Sequence, residues 1–399
     1  MSRHLLSRKL QNMSESATIK MAQKARELKA KGIDVISLSL GEPDFDTPDF
    51  IKEAAIKALR EGYTKYTPVP GLPILREAIS NKLKRDNDLD YALNEIMVSN
   101  GAKQCIANIC LSLLDEDDEV VIFTPYWVSY FEIVKFSGGK PVPLYAGIDQ
   151  DFKVTPEQLD DVISEHTKLI IFSSPSNPTG SVYSKEELEA LAEVIKKHDN
   201  LFVLADEIYE YINFSGKTPS IAAVDGMKDR TLTVNGMSKG FSMTGWRLGY
   251  VAGPSWIIGS CAKVQGQFTS GANAFGQVAA AHALNSELDA TYAMRDEFLK
   301  RRDIVKAALD SIDGINANNP EGAFYFFPEI SSFFGRTNGS RVIHDADEFV
   351  DVLLDEAHVA VVTGTAFGDP NSFRLSYAAS EEQLRSAMER MKNVLSSYK

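Results

Sequence analysis

The sequence predicts an α/β protein: a mostly parallel, open sheet with helices on both faces, joined to a smaller α+β domain. Three observations carry this expectation. Residues from about 95 to 250 alternate short apolar runs with amphipathic helical patterns, the signature of strand–helix–strand units. After about residue 255 the pattern changes to long helical stretches followed by a few short strands. A chain of 399 residues, 44% of them hydrophobic, is long enough to build more than one core.

Taken in order, the chain opens with a helix over 16–31 and a strand over 35–40. The sheet strands are expected at 96–99, 119–123, 141–144, 169–172, 201–205, 231–234 and 249–252. The helices between them are expected at 103–113, 126–136, 156–164 and 184–197. The last opens on Ser184 with Glu187 three residues later, a capping-box pattern. A helical region then runs to about 313, interrupted near Gly271. Strands at 324–327, 359–362 and 373–376, with helices at 346–356 and 381–396, complete the smaller domain. The expected division is 48–294 for the large domain, and 1–47 together with 295–399 for the small one.

Bulk composition narrows the function. The 42 basic and 55 acidic side chains give a net charge of −13, which argues against nucleic acid or an anionic membrane as a partner. No apolar run approaches the length of a membrane span. The first residues lack the apolar core of a secretory signal. Cys105, Cys110 and Cys261 show no metal-ligand spacing, and the six histidines form no cluster, so no metal site is expected. The thiols suit a reducing compartment, and a cytoplasmic protein is expected.

The candidate chemical groups fall at predicted strand ends or in glycine-marked turns. After the strand at 231–234 comes Ser238-Lys239-Gly240, with Arg247 eight residues beyond the lysine. A lysine there can form a Schiff base with an aldehyde, and an arginine fork can hold a phosphate. An aldehyde carrying a phosphate describes pyridoxal phosphate. Gly101-Ala102-Lys103 opens a helix, where free N–H groups suit a phosphate, although a plain β-to-α turn would look the same. Trp127 could cover a heteroaromatic ring or belong to the core. Asn177, in an Asn-Pro turn, is free to bond a phenolic oxygen. Asp206 fits either a helix N-cap or the partner of a protonated pyridine nitrogen. Tyr209, three residues on, would face the same way. Arg374, inside an apolar strand pattern, needs an anion, supplied either by a substrate carboxylate or by a structural ion pair.

These motifs occur together and in one order, and they resemble the class I aminotransferases of the aspartate aminotransferase superfamily, pyridoxal-phosphate enzymes of fold type I. The resemblance spans nearly the whole chain, from Ser37-Leu-Ser-Leu-Gly-Glu-Pro-Asp-Phe to Phe373-Arg374-Leu-Ser-Tyr. It implies that Lys239 carries the cofactor and moves the proton, that Asp206 pairs with the ring nitrogen, and that Tyr209 and Asn177 contact the ring hydroxyl. It implies that Trp127 stacks on the ring and that Gly101, Ala102, Ser238 and Arg247 hold the phosphate. Tyr66 resembles a tyrosine that reaches the phosphate of the partner subunit, so a homodimer with shared active sites is implied. Arg374 resembles the arginine that clamps the α-carboxylate, with Gly41 nearby and domain closure involving residues 38–45. The implied reaction is ping-pong transamination between an amino acid and a 2-oxo acid.

Lys103 bears on the substrate. It resembles the lysine that binds the distal carboxylate in the branch of aspartate aminotransferases that lacks a distal arginine. A cation in the first turn of a helix is otherwise unfavourable. The expected function is transamination between L-aspartate and 2-oxoglutarate. An aminotransferase for prephenate or aromatic amino acids, and a pyridoxal-phosphate lyase or decarboxylase on the same fold, are the alternatives.

Overall fold

The computed structural model describes residues 6–11 and 13–399. Twelve strands are labelled here in chain order: β1 Ile36–Ser37, β2 Ile96–Ser99, β3 Glu119–Thr124, β4 Lys140–Tyr145, β5 Thr167–Ser173, β6 Phe202–Asp206, β7 Thr231–Gly236, β8 Gly249–Ala252, β9 Tyr325–Phe326, β10 Val359–Ala360, β11 Val362–Thr363 and β12 Phe373–Ser376. The seven strands β2 to β8 form one sheet in the order β2-β8-β7-β6-β5-β3-β4. All run parallel except β8, which is antiparallel to both of its neighbours.

The sheet is buried on both faces because its central strands carry unbroken apolar runs, Val120–Phe123, Leu169–Phe172 and Val203–Ala205. Successive residues point to opposite faces. Accordingly Val120, Ile122, Leu169, Ile171 and Leu204 pack with helices Ala102–Leu113, Ser129–Ser137 and Ser255–Phe268. Their neighbours Val121, Phe123, Ile170, Phe172, Val203 and Ala205 pack on the other side, with helices Pro156–Val162 and Lys185–Ile195. The expected capping box forms: the Glu187 N–H donates to Ser184 Oγ at 3.2 Å and the Ser184 N–H to Glu187 Oε2 at 2.7 Å.

A separate apolar cluster gathers residues distant in sequence: Met21, Ile36 and Leu38 with Phe298, Phe324, Phe349, Leu375 and Leu395. Within it β1 pairs in parallel with β10, and β11-β12-β9 form a small antiparallel sheet.

Several expected boundaries shift. The strand at 35–40 shortens to two residues. The strand at 359–362 splits in two, since Val359–Ala360 pairs with β1 while Val362–Thr363 pairs with β12. The helix expected from 126 starts at Ser129, and the Tyr126 N–H ahead of it donates to the Phe367 carbonyl at 3.0 Å. Helices Asp49–Arg60 and Pro73–Asn87 lie outside the expected set; both pack against helix Ala274–Leu284. Near Gly271 the helical region breaks between Phe268 and Ala274. A Cβ on Gly271 would stand 2.2 Å from Thr67 Oγ1, so the chain passes the 67–68 backbone closely there.

Candidate active site

The parallel strands end at one edge of the sheet, where ligands of such sheets bind. β6 delivers Asp206 to that edge, directly beside Ser173 of β5. β7 delivers Ser238 and Lys239 just past Gly236. Because β8 runs the opposite way, it enters the sheet at this same edge: Gly249 is opposite both Gly236 and Ser99. The residue two before it, Arg247, is thereby placed beside Gly101-Ala102, at the start of the helix that follows β2. A Cβ on Gly101, whose φ is +87°, would stand 2.4 Å from Arg247 Nη2.

A cavity of about 330 Å³ opens here, and Gly41, Ala102, Lys103, Trp127, Asn177, Asp206, Tyr209, Ser238, Lys239, Arg247 and Arg374 line it. Of the predicted site residues, two are elsewhere. Gly101 sits against Arg247 at its rim. Tyr66 lies away from the cavity with 98% of its surface exposed.

Each charge in the cavity is incompletely matched by the protein. Asp206 is buried, and burial pushes its carboxyl up to about 6. Tyr130 Oη donates to its Oδ2 at 2.6 Å and the Ile208 N–H to its Oδ1 at 3.3 Å, and these bonds together with the Lys239 charge oppose the rise. Among the described residues no lysine or arginine forms an ion pair with it. Lys239 Nζ donates to the Gly41 carbonyl. Burial lowers its amine to about 8; Glu42 opposes the shift, and the charges of Arg374 and Arg247 add to it.

Arg374 is 2% exposed, and among the described residues it has no carboxylate partner. Nη1 donates to Asn177 Oδ1 at 2.9 Å and Nη2 to the Ser39 carbonyl at 2.6 Å, while Nε has no partner. The guanidinium stacks 4.5 Å from the Tyr325 ring centroid and 4.9 Å from that of Phe367. An isolated buried cation is costly, and an anionic ligand removes that cost. Lys103 Nζ stands 4.8 Å over the Trp127 ring; burial first, and then the Arg247 charge, lower its amine from the usual lysine range.

Tyr130 and Tyr325 also line the cavity, and sequence reasoning missed both. Tyr325 shares a 2.7 Å hydroxyl–hydroxyl bond with Tyr209. A signal existed for Tyr130: it lies three residues after Trp127, hence on the same side of a helical first turn. Tyr325 sits in the run Phe324–Phe327, which reads as plain core.

The arrangement offers a buried carboxylate, an amine shifted toward its neutral form, a flat aromatic wall and cations at the periphery. It suits a ligand that carries both a cationic ring and anionic groups.

Comparison with known proteins agrees. Residues 33–391 match the family model described as aminotransferase class I and II. The chain is 46% identical over 401 residues to a bifunctional aspartate aminotransferase and glutamate/aspartate-prephenate aminotransferase of Petunia hybrida, covering 99% of this chain and 83% of that protein. It superposes on the aspartate aminotransferase of Rhizobium meliloti with a TM-score of 0.96 at 41% identity, covering 99% of each chain. The Thermus thermophilus aspartate aminotransferase solved with maleate gives a TM-score of 0.92 at 42% identity, covering 98% of this chain and 99% of that one. With its fold, its cavity and its sequence in agreement over nearly its whole length, the chain belongs to the class I and II aminotransferases, enzymes that depend on pyridoxal phosphate.

Proposed function

We propose that this aminotransferase acts on L-aspartate and 2-oxoglutarate, and that the residues gathered in the cavity carry the roles their chemistry suits. The observation that carries the reading is the pair of cations: Arg374, buried with an unpartnered Nε, and Lys103, held over Trp127. A dicarboxylate has one group for each. The Thermus relative solved with maleate, a dicarboxylate, supports the same choice.

The cavity fits the cofactor on its own terms. Asp206 lacks a cationic partner, which a protonated ring nitrogen supplies. The glycine-marked helix start at Gly101-Ala102, with Ser238 and Arg247, offers donors and charge for a phosphate. Pyridoxal phosphate, when bound, supplies an aldehyde that accepts the amino group and a ring that delocalises negative charge. In this reading Arg374, with Gly41 beside it, binds the α-carboxylate and orients the substrate. Lys103 holds the distal carboxylate as a point charge. Lys239 Nζ takes the proton from the α-carbon and later returns one. Trp127 covers the ring face, and Asn177 and Tyr209 bond the ring hydroxyl. The exposure of Tyr66 suits a side chain that serves a partner's cavity in a homodimer. The lobes of this reading are 48–294, and 1–47 with 295–399.

Lys103→Ala is expected to lower kcat/KM for aspartate by about 10- to 100-fold, the worth of one charge-assisted contact, and to leave neutral amino acids within about threefold. Steady-state kinetics on both substrate types would check this; equal losses would remove Lys103 from the role.

The lysine makes a pH prediction. A neutral amine attacks an aldehyde and an ammonium does not. With Lys239 lowered to about 8, its neutral fraction rises as pH rises through 8, rather than through the ordinary lysine range. The rate at which cofactor-free protein turns yellow on addition of pyridoxal phosphate is expected to climb between about pH 7 and 9 and then level off. A rate still climbing steeply at pH 10 would contradict the shift.

A second reading, prephenate as a further substrate, is supported by the name of the Petunia relative. Competition of prephenate with oxaloacetate for the amino group would test it.

A further inference from the structure

Tyr130 opens the helix Ser129–Ser137 and is 1% exposed. Its hydroxyl donates to Asp206 Oδ2 at 2.6 Å. Its ring stands edge-to-face against Trp127, with centroids 5.4 Å apart and planes at 83°. One phenol therefore touches both the carboxylate placed under the cofactor's nitrogen and the indole placed over its ring. Ser173, beside Asp206 in the sheet, opposes the rise that burial causes in the pKa of the same hydroxyl, which favours it as a donor.

We infer that Tyr130 is a positioning residue that keeps Asp206 ionised and directed at the ring nitrogen, so that the proton between them stays on the ring. The inference rests on the reading of Asp206 as the partner of that nitrogen.

What matters is where one proton sits. A carboxylate and a protonated heterocycle in contact can exchange it and become a carboxylic acid and a neutral ring. Burial favours the neutral pair, and it already raises the Asp206 carboxyl toward neutrality. A short hydrogen bond from a phenol favours the ionised carboxylate. The other titratable groups around Asp206 are Lys239, Glu207, Tyr209 and Cys105, and of these only Lys239 brings a positive charge. Lys239 is the residue proposed to bond the cofactor and shuttle the proton, so its charge cannot be relied on throughout the cycle. Of the donors that remain, the Ile208 N–H at 3.3 Å and Tyr130 at 2.6 Å, the closer is Tyr130. Without it, the proton moves toward the carboxyl and the ring loses its capacity to hold negative charge.

The test uses holoenzyme reconstituted with cofactor labelled with ¹⁵N at the ring nitrogen. The ¹⁵N chemical shift reports whether that nitrogen is protonated, independently of activity. In Tyr130→Phe, which removes one oxygen and keeps the ring against Trp127, the signal is expected to move toward the unprotonated value. For aspartate, kcat is expected to fall about tenfold or more, the worth of one hydrogen bond to a charged group, while KM changes less than about threefold. Ser173→Ala is expected to move the signal the same way by less, and it decides the matter if Tyr130→Phe does not fold as holoenzyme. Asp206→Asn separates the two layers of the argument. If Asp206→Asn moves the signal but neither of the other variants does, Tyr130 has no positioning role. If Asp206→Asn leaves the signal unchanged, the reading of Asp206 fails and the inference falls with it.

Discussion

Replacing Lys239 with alanine is expected to lower transamination by roughly 10⁴-fold or more while the protein keeps its fold and still binds the cofactor. The size follows from the site. Among the described residues lining the cavity, the other basic groups are Lys103 and the two arginines, Arg247 and Arg374. The arginines do not give up a proton near neutrality. Lys103 is held over the Trp127 ring at the opening of its helix. No neighbour can substitute for the lost amine. The proposed phosphate contacts at Gly101-Ala102, Ser238 and Arg247 are untouched, so cofactor affinity should survive. Single-turnover spectroscopy with aspartate would measure the loss, and added small amines should restore part of the rate by diffusing into the space vacated. Activity within about tenfold of the parent would remove Lys239 from the proposed role.

Arg374→Lys is expected to cost roughly 10²-fold or more in kcat/KM for every α-amino acid, acidic or neutral alike. The guanidinium is fixed before any substrate arrives. Asn177 Oδ1 and the Ser39 carbonyl hold two of its nitrogens, and the rings of Tyr325 and Phe367 lie against it. A lysine would offer one flexible nitrogen, could not satisfy both acceptors and a carboxylate, and would lose charge readily when so deeply buried. The diagnostic feature is generality. Lys103→Ala should discriminate between substrates and Arg374→Lys should not, so kcat/KM for aspartate and for one neutral amino acid in both variants tests the two assignments together. A loss confined to dicarboxylates in Arg374→Lys would overturn the proposal for Arg374.

Much of the fold was legible in the sequence because the central strands carry unbroken apolar runs bounded by turn residues. The strand ends at Ser99, Asp206 and Gly236 were readable within two residues, and the chemical groups followed from the rule that such strands present ligands at their carboxyl ends. What was not legible depended on pairing at a distance. Val35–Leu40 reads as one strand, yet its ladder with β10, more than 300 residues later in the chain, covers Ile36–Ser37. Tyr325 reads as core because its neighbours Phe324, Phe326 and Phe327 are core; only the fold brings its hydroxyl to Tyr209. Arg374 presented two equally good readings in sequence, a ligand clamp or an ion pair. The absence of a carboxylate partner among the described residues removes the ion pair.

The reversed strand β8 has a consequence for anyone reshaping this pocket. Reversal brings two anchor points on one short stretch, Lys239 and Arg247, back to a single edge. A Cβ on Gly249 would lie 2.2 Å from the Ala102 nitrogen, so even the smallest side chain is shut out at the point where the stretch rejoins the sheet. A one-residue slip of β8 in its pairing would exchange its inward and outward faces. The walls contributed by Thr18, Ile19 and Val128 belong to other elements and can be varied without disturbing that register.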